Sequence, residues 1–415
     1  MQIRSAILAL LALTLSVQAD HHSQRSPSHH AHSQPRSLLN PRDAYNQLEG
    51  DNNQDGGPRH GPLRIPSGSR LRNFTVGDSG EQLITYWSKS LADSQARQAI
   101  LMFHGRERDG DDYWEVANDV LRAAVQDGFP GASRDTLIIA PQFLSTIRNS
   151  GQYGSNQIAF ADVNAWQVGE KATHPRGTRV TSFSAIDNLI NRLADKSRFP
   201  NLKRIVLVGH GGGGQLVTRY AVLSSIPPSS QVAIRFVVGD PSTNLYFTDD
   251  RPLRDSFDAQ GSTKGTCPLY NTYRYGFNDL TKYNPTAGSL SPSAYFARFA
   301  KRDVVFTVGN NDKAANGDQT CMAHLMGGSA RCTRTFMYWR YINQLAGTKS
   351  TAKLSGFPGR FSSKLPNWSN LTGGKLNAQL VIIPNASHDA EAVFHNNLGR
   401  GALFTVGKVP RGGSP

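Results

Sequence analysis

The chain has 415 residues and a formal net charge of +14, from 45 lysines and arginines against 31 aspartates and glutamates. This length allows one large domain or two ordinary ones. The basic charge favours attraction to anionic surfaces, but no nucleic-acid-binding motif accompanies it, so we predict no specific nucleic-acid partner. After the N-terminus, no apolar run reaches eighteen residues, and we predict no membrane span.

The N-terminus has the pattern of a secretory signal peptide. Arg4 supplies positive charge, residues 7–17 form a short apolar run, and small residues precede Asp20. Residues 1–19 are therefore predicted to be removed and the protein to be secreted, that is, extracellular. Residues 20–65 hold six of the twelve histidines among Ser, Pro, Gln and Asn, a composition that predicts disorder. These imidazoles could bind a metal loosely, but a solvated tail is the simpler interpretation, and we predict no metal or other cofactor.

From residue 66 onward, short apolar runs alternate with amphipathic ones. Strands are predicted at residues 83–87, 99–103, 136–140, 205–208, 233–238, 304–308 and 379–383. Helices are predicted at residues 114–124, around 186–193, and at 215–224, 337–345 and 390–396. This alternation predicts a mostly parallel sheet with helices on both faces, in one domain from 66 to about 410.

Two long segments, at about 143–182 and 241–300, interrupt the alternation. The second holds eleven aromatic residues in sixty, about twice the chain's overall 9%. Such a segment beside a parallel sheet is typical of a lid over a cleft for a small molecule or peptide. A segment with a small core of its own is an equal alternative, and the two are compatible.

A glycine-rich turn follows the predicted strand 205–208. In the nucleophile-elbow motif G-x-S-x-G, a strand turns sharply into a helix, and only glycine fits the flanking positions. Gly209 and Gly213 match the flanks, His210 is the second residue, and Gly211 stands where the serine would be. A phosphate-binding loop is the alternative, but neither Gly-Lys-Ser/Thr nor G-x-G-x-x-G with a later acidic residue is present.

The tripeptide His104-Gly105-Arg106 follows the predicted strand 99–103. In hydrolases with a nucleophile elbow, such a turn supplies one backbone N–H of the oxyanion hole, and the residue after the nucleophile supplies the other. The two predicted donors are therefore the amides of Arg106 and Gly212. A turn selected only for packing is the alternative.

Two polar residues follow later strands in the order of a hydrolase triad. Asp312 comes after strand 304–308, and His388 comes after strand 379–383. An acid in this position orients the imidazole and stabilises its protonated form. Asp240, which follows strand 233–238, is the alternative acid.

An exported protein meets an oxidising compartment, so its three cysteines are candidates for a disulfide, whereas its four glycosylation sequons are no more than its composition gives by chance. Cys321 and Cys332 are close in sequence and are the favoured disulfide, although three pairings are open. The sequons are at Asn73, Asn367, Asn370 and Asn385.

These motifs resemble the α/β-hydrolase superfamily over roughly residues 75–400. The sequence is similar in particular to secreted fungal and bacterial hydrolase-like proteins that have G-H-S-x-G-G-Q at the elbow and H-G-R in the oxyanion turn. Further matches are Cys267-Pro268-x-Tyr270, the turn ending at Asp312, and Ser387-His388-Asp389. The resemblance implies an α/β-hydrolase fold and serine esterase or peptidase chemistry.

Gly211 departs from that resemblance, because no hydroxyl is left to attack an ester or amide. Three hypotheses follow: a non-catalytic protein that binds ligands in the former active site, a hydrolase or lyase that uses His388 and Asp312 as a general base, and an ordinary serine esterase carrying a Ser→Gly change. Loss of a triad nucleophile costs about a millionfold in turnover, which favours the first.

Overall fold

A computed structural model describes residues 62–161, 164–226, 232–349 and 356–415. The predicted signal peptide and nearly all of the histidine-rich segment lie outside the described residues. Eight strands form the main sheet: β1 (Ser69–Thr75), β2 (Gln82–Ser88), β3 (Gln98–Phe103), β4 (Thr136–Gln142), β7 (Arg204–His210), β8 (Ala233–Gly239), β9 (Asp303–Gly309) and β10 (Gln379–Ile383). A separate pair is formed by β5 (Leu144–Ser145) and β6 (Ala159–Phe160).

The order of the main sheet is β1-β2-β4-β3-β7-β8-β9-β10. Strand β2 is antiparallel to both of its neighbours, whereas β4, β3, β7, β8, β9 and β10 pair in parallel. The carboxyl ends of these parallel strands therefore meet at one edge of the sheet, which is where ligands bind in open α/β sheets.

Helices cover both faces of the sheet, as predicted. They are α1 (Gly110–Gln126), α2 (Ser182–Ala194), α3 (Gly212–Leu223), α4 (Leu280–Tyr283), α5 (Pro292–Phe299), α6 (Cys321–His324), α7 (Arg331–Ala346), α8 (Ser369–Thr372), α9 (Ala390–His395) and α10 (Asn397–Phe404). In β3, Ile100 and Met102 pack with α1, α9 and α10, whereas Leu101 and Phe103 pack with α2, α3 and α7. This two-residue period lets one strand serve both layers. In the described ranges, no helix combines the length and hydrophobicity needed to cross a bilayer.

Two of the unpredicted features concern the main sheet and the glycine turn, and the other unpredicted elements are β5, β6, α4, α5, α6, α8 and α10. Strand β1 was not predicted, because its sequence SRLRNFT is largely polar and Phe74 is its one fully apolar buried residue. Helix α3 begins at Gly212, since the glycine turn itself forms the first helical turn. An edge strand needs only one buried face, and a glycine run carries no helical period, so pattern alone missed both.

The aromatic segment 241–300 supplies residues of the main hydrophobic core, and its role as a lid remains a prediction. Phe247 packs against Phe296 with ring centroids 4.9 Å apart, and Tyr246 packs against Tyr341 of α7 at 4.6 Å. All four rings belong to the larger hydrophobic cluster under the sheet. The rings are buried because each removes a large apolar area from water on packing.

The disulfide also differs from the favoured pairing. Cys267 bonds to Cys321, with Cα atoms 5.8 Å apart, and Cys332 is a buried free thiol. Cys332 lies in the first turn of α7 and faces the core. Its sulfur is therefore not bonded to Cys321, although the two residues are close in sequence. The predicted Cys321–Cys332 bond is therefore wrong. The bond present ties the aromatic segment to α6.

Peptide mapping under non-reducing conditions should recover Cys267 linked to Cys321. The double variant Cys267→Ala/Cys321→Ala should lower the free energy of unfolding by about 4 kcal/mol, because the bond closes a loop with a sequence separation of 54. Cys332→Ala, the matched control, should cost only about 1 kcal/mol. A Cys321–Cys332 peptide would contradict the structure.

Candidate active site

The turn between β7 and α3 has the geometry expected of a nucleophile elbow. Gly211 has φ +56° and ψ −112°, in the region that side-chain-bearing residues rarely adopt. A Cβ on Gly209 would lie 2.3 Å from the carbonyl carbon of Gly213, and a Cβ on Gly213 would lie 2.3 Å from the carbonyl oxygen of Phe103. Both flanking glycines are therefore required by the close approach of strand and helix.

The imidazole of His388 faces Gly211. A Cβ placed on Gly211 would lie 3.0 Å from Nε2 of His388 and 3.2 Å from its Cε1. The histidine thus stands beside the position where a nucleophilic side chain would begin. Because Gly211 has no side chain, Nε2 faces open space at this point.

His388 and Asp312 form the hydrogen-bonded pair that their order in the sequence predicted. Nδ1 of His388 lies 2.9 Å from Oδ2 of Asp312. The other carboxylate oxygen, Oδ1, accepts a hydrogen bond of 2.8 Å from Nη1 of Arg331. Arg331 also donates to Ser242 Oγ and Asn316 Oδ1, so its guanidinium is fixed on three sides. Asp312 is fully buried, and both of its oxygens are satisfied.

The electrostatics of this pair set its protonation state. Burial lowers the pKa of His388, and the nearby His210 and Arg331 lower it further, against the opposing effect of Asp312. Burial alone would raise the pKa of Asp312, but its hydrogen bond to His388 and the charge of Arg331 leave that pKa lowered. At neutral pH, Asp312 is therefore ionised and His388 is neutral, with Nε2 as a proton acceptor.

Asp240, the alternative acid, belongs to a different pair. Its Oδ1 accepts a hydrogen bond of 2.9 Å from the amide of Gly309. Its Oδ2 lies 3.3 Å from Nε2 of His210, although not at hydrogen-bonding angles. The His210 ring packs against the His388 ring with centroids 4.4 Å apart. Asp240 thus lies beside His210, whereas the carboxylate bonded to His388 is that of Asp312.

The two predicted backbone donors face the same small space. A Cβ on Gly212 would lie 3.1 Å from the amide nitrogen of Arg106. Gly212 is the first residue of α3, so its N–H has no partner within the helix. Neither amide donates to another backbone group in the described ranges. Two such donors can hold a carbonyl oxygen or an oxyanion.

A cavity of about 310 Å³ joins these groups and contains residues that sequence reasoning missed. Arg331 has no motif around it, and its role depends on a contact across nineteen residues. Asn164 and Gln167 come from the first long segment, and Asp109 and Tyr113 from the start of α1. Burial and the charges of Asp112 and Glu107 raise the pKa of Asp109 to about 7.

The predicted glycosylation sites are on the surface. The sequon asparagines Asn73, Asn367, Asn370 and Asn385 are all exposed, and their glycosylation remains a prediction. In the part of the chain that the structure describes, no three His, Cys, Asp or Glu side chains are grouped as a metal site requires.

Comparisons with solved structures identify the fold. The protein is similar to LpqC, a poly(3-hydroxybutyrate) depolymerase from Bordetella parapertussis, with a TM-score of 0.51, 16% identity, and coverage of 83% of this chain and 92% of that one. It is also similar to poly(aspartic acid) hydrolase-1 from Sphingomonas sp. KT-1 (TM-score 0.48, 17% identity, 79% and 95% coverage). A third similar structure is the siderophore hydrolase EstB from Aspergillus nidulans, with a TM-score of 0.41, 11% identity, and coverage of 85% of this chain and 99% of that one.

The chain has an α/β-hydrolase fold, as the strand order and the similarity to the depolymerase show. No family model matches the sequence. No curated protein matches it either.

Removing Arg331 should destabilise the protein. Arg331→Met leaves the fully buried Asp312 carboxylate without its cation, and we expect a loss of about 3–5 kcal/mol in the free energy of unfolding. The matched control, Arg122→Met, breaks an exposed pair with Asp119 and should cost less than about 1 kcal/mol. Chemical denaturation measures both. Equal losses would show that the Arg331–Asp312 pair is not a buried charge pair in solution.

The protonation of His388 can be followed by NMR. Its titration midpoint should lie below the ordinary value of about 6.5, because burial and the neighbouring His210 and Arg331 outweigh Asp312. Asp312→Asn should move the midpoint further down, since it removes the group that favours the charged ring. His210→Phe should move it up. A wild-type midpoint above 6.5 would mean that the ion pair outweighs burial.

Proposed function

We propose that the protein binds acyl compounds in the cavity at Gly211 without forming a covalent intermediate. The observation that carries this proposal is the turn itself. Gly211 has the backbone conformation that the nucleophilic residue of an elbow adopts, and it faces His388. It has no side-chain atom that could attack a carbonyl carbon. A ligand's acyl carbon would therefore meet an open space where a serine hydrolase has its hydroxyl.

The remaining groups suit such a ligand. The Arg106 and Gly212 amides would donate to the carbonyl oxygen, and Nε2 of His388 would accept a hydrogen bond from a hydroxyl, an N–H or a water on the other side. The pair with Asp312 fixes the imidazole, so little ordering entropy is lost on binding. A small molecule or the end of a peptide would fit a cavity of about 310 Å³.

We also propose that this activity is extracellular. The proposal is supported by the signal-peptide pattern of residues 1–19 and by the disulfide Cys267–Cys321, since such bonds persist in oxidising compartments. The net charge of +14 would favour attachment to anionic surfaces there.

Hydrolysis by direct attack of water is the second candidate. It is favoured by the hydrogen bond between His388 and Asp312, which is intact, and by the lowered pKa of His388. A neutral imidazole could remove a proton from water held beside Gly211, and the water oxygen would attack a carbonyl carbon polarised by the two amides. His388 would then return the proton to the leaving group.

Hydrolysis of p-nitrophenyl butyrate separates the candidates. Wild type should show no turnover above buffer, whereas Gly211→Ser should exceed it at least about a thousandfold. A nucleophile contributes about a millionfold in serine hydrolases. Part of that gain is lost here, because the new Cβ would lie only 3.0 Å from Nε2 of His388.

Gly211→Ala is the matched control, since it adds the same Cβ without a hydroxyl and should stay inactive. The activity of Gly211→Ser should disappear when His388→Ala is added. Wild-type turnover that is lost in His388→Ala would contradict the binding proposal and support attack by water.

A further inference from the structure

The cavity holds a buried donor side chain, that of Gln167. Gln167 lies on a short 3₁₀ turn, Ala165–Val168, and is 3% exposed. Its Nε2 donates a hydrogen bond of 2.8 Å to Oδ1 of Asn164. A primary amide nitrogen carries two hydrogens, so one hydrogen remains for another acceptor.

Gln167 approaches the two backbone donors. Its Nε2 lies 3.1 Å from the point where a Cβ on Gly212 would stand, and the amide nitrogen of Arg106 lies 3.1 Å from the same point. Both nitrogens therefore lie on the Cβ side of Gly212, and the amide of Gly212 is the second backbone donor of the group. All three residues line the cavity.

Aromatic packing holds this arrangement in place. Trp166, next to Gln167, is fully buried and packs on His104 with ring centroids 4.4 Å apart. Trp166 also stacks on Phe143 at 5.6 Å, and the Phe143 amide donates to Nε2 of His104. His104 begins the turn that carries Arg106. The two turns are thus packed against each other, which preorganises the three donors before a ligand arrives.

We propose that Gln167 is the third donor of an anion-binding hole, and that the cavity's ligand class is a carboxylate or another acyl group whose oxygen carries negative charge. This inference rests on the proposed function, because it specifies the group held at Gly212. Hydrogen bonds to a charged oxygen are about twice as strong as those to a neutral one, so three donors favour the charged oxygen most. The second carboxylate oxygen would face the open side of the cavity.

The side chains of Glu107, Asp109 and Arg331 also line the cavity and influence absolute affinity. The role of Gln167 is therefore tested by measuring how one substitution changes the dissociation constants of two probes of equal size. Butyrate carries the charged oxygen. 2-Pentanone replaces one carboxylate oxygen with a methyl group and cannot be hydrolysed.

Calorimetric or NMR titration should give dissociation constants for wild type, Gln167→Met and Gln167→Glu. Gln167→Met removes the donor, and it should weaken butyrate about tenfold but 2-pentanone less than about threefold. Gln167→Glu has the same size and brings a negative charge, so it should weaken butyrate more than Gln167→Met does. Gln126→Met, an exposed glutamine at the end of α1, is the matched control and should change neither. Thermal melts establish that each variant is folded.

The outcomes separate the two proposals. If wild type binds both probes and Gln167→Met weakens neither, or weakens both equally, the role of Gln167 is overturned and the proposed function stands. If Gln167→Met does not fold, the same comparison is made with Gln167→Glu. If wild type binds neither probe, the proposed function fails and this inference fails with it.

Discussion

The close approach of α3 to β7, β3 and β8, which glycines in β7 and α3 allow, is the constraint on which the site depends. A Cβ on Gly209, Gly213 or Gly214 would lie 2.3 Å from a neighbouring backbone atom, far inside contact distance. Because these positions are side-chain-free, helix α3 starts directly at the end of β7. The Cβ position of Gly212, the first residue of α3, then lies 3.1 Å from the amide nitrogen of Arg106 in the turn after β3. The same turn sets the backbone conformation of Gly211. The close packing at these glycines therefore determines both where the two backbone donors lie and where the nucleophile would stand.

A buried charge arrangement completes the site on its other side. Asp312 is fully buried, so its charge is tolerated only because Arg331 and His388 satisfy both oxygens. This arrangement fixes the His388 ring toward Gly211 and keeps it neutral at neutral pH, because burial outweighs the attraction of Asp312. Asp312, His388 and the amides of Arg106 and Gly212 are therefore held in place whether or not a nucleophile is present. Such a site can bind an acyl group with little rearrangement.

The sequence predicted the features that depend on short-range pattern. Alternating apolar runs identified seven of the strands in the main sheet, and the order of Gly211, Asp312 and His388 brought three distant residues to one edge. It did not predict Arg331 or Gln167, whose roles come from tertiary contacts and have no local motif. The predicted disulfide pairing was wrong for the same reason, because the packing of the aromatic segment brings Cys267 next to Cys321. Aromatic content alone also could not distinguish a lid from a core.

We propose that this fold retains an acyl-binding site without a nucleophile. Intact-protein mass spectrometry after incubation with a fluorophosphonate tests it most directly, because the reagent modifies only an activated nucleophile beside an oxyanion hole. We predict no adduct on wild type or Gly211→Ala, and one adduct on Gly211→Ser that is absent from Gly211→Ser/His388→Ala. An adduct on the wild-type protein at a residue of the cavity would contradict the account, because it would mean that another side chain has taken over the role of the missing serine.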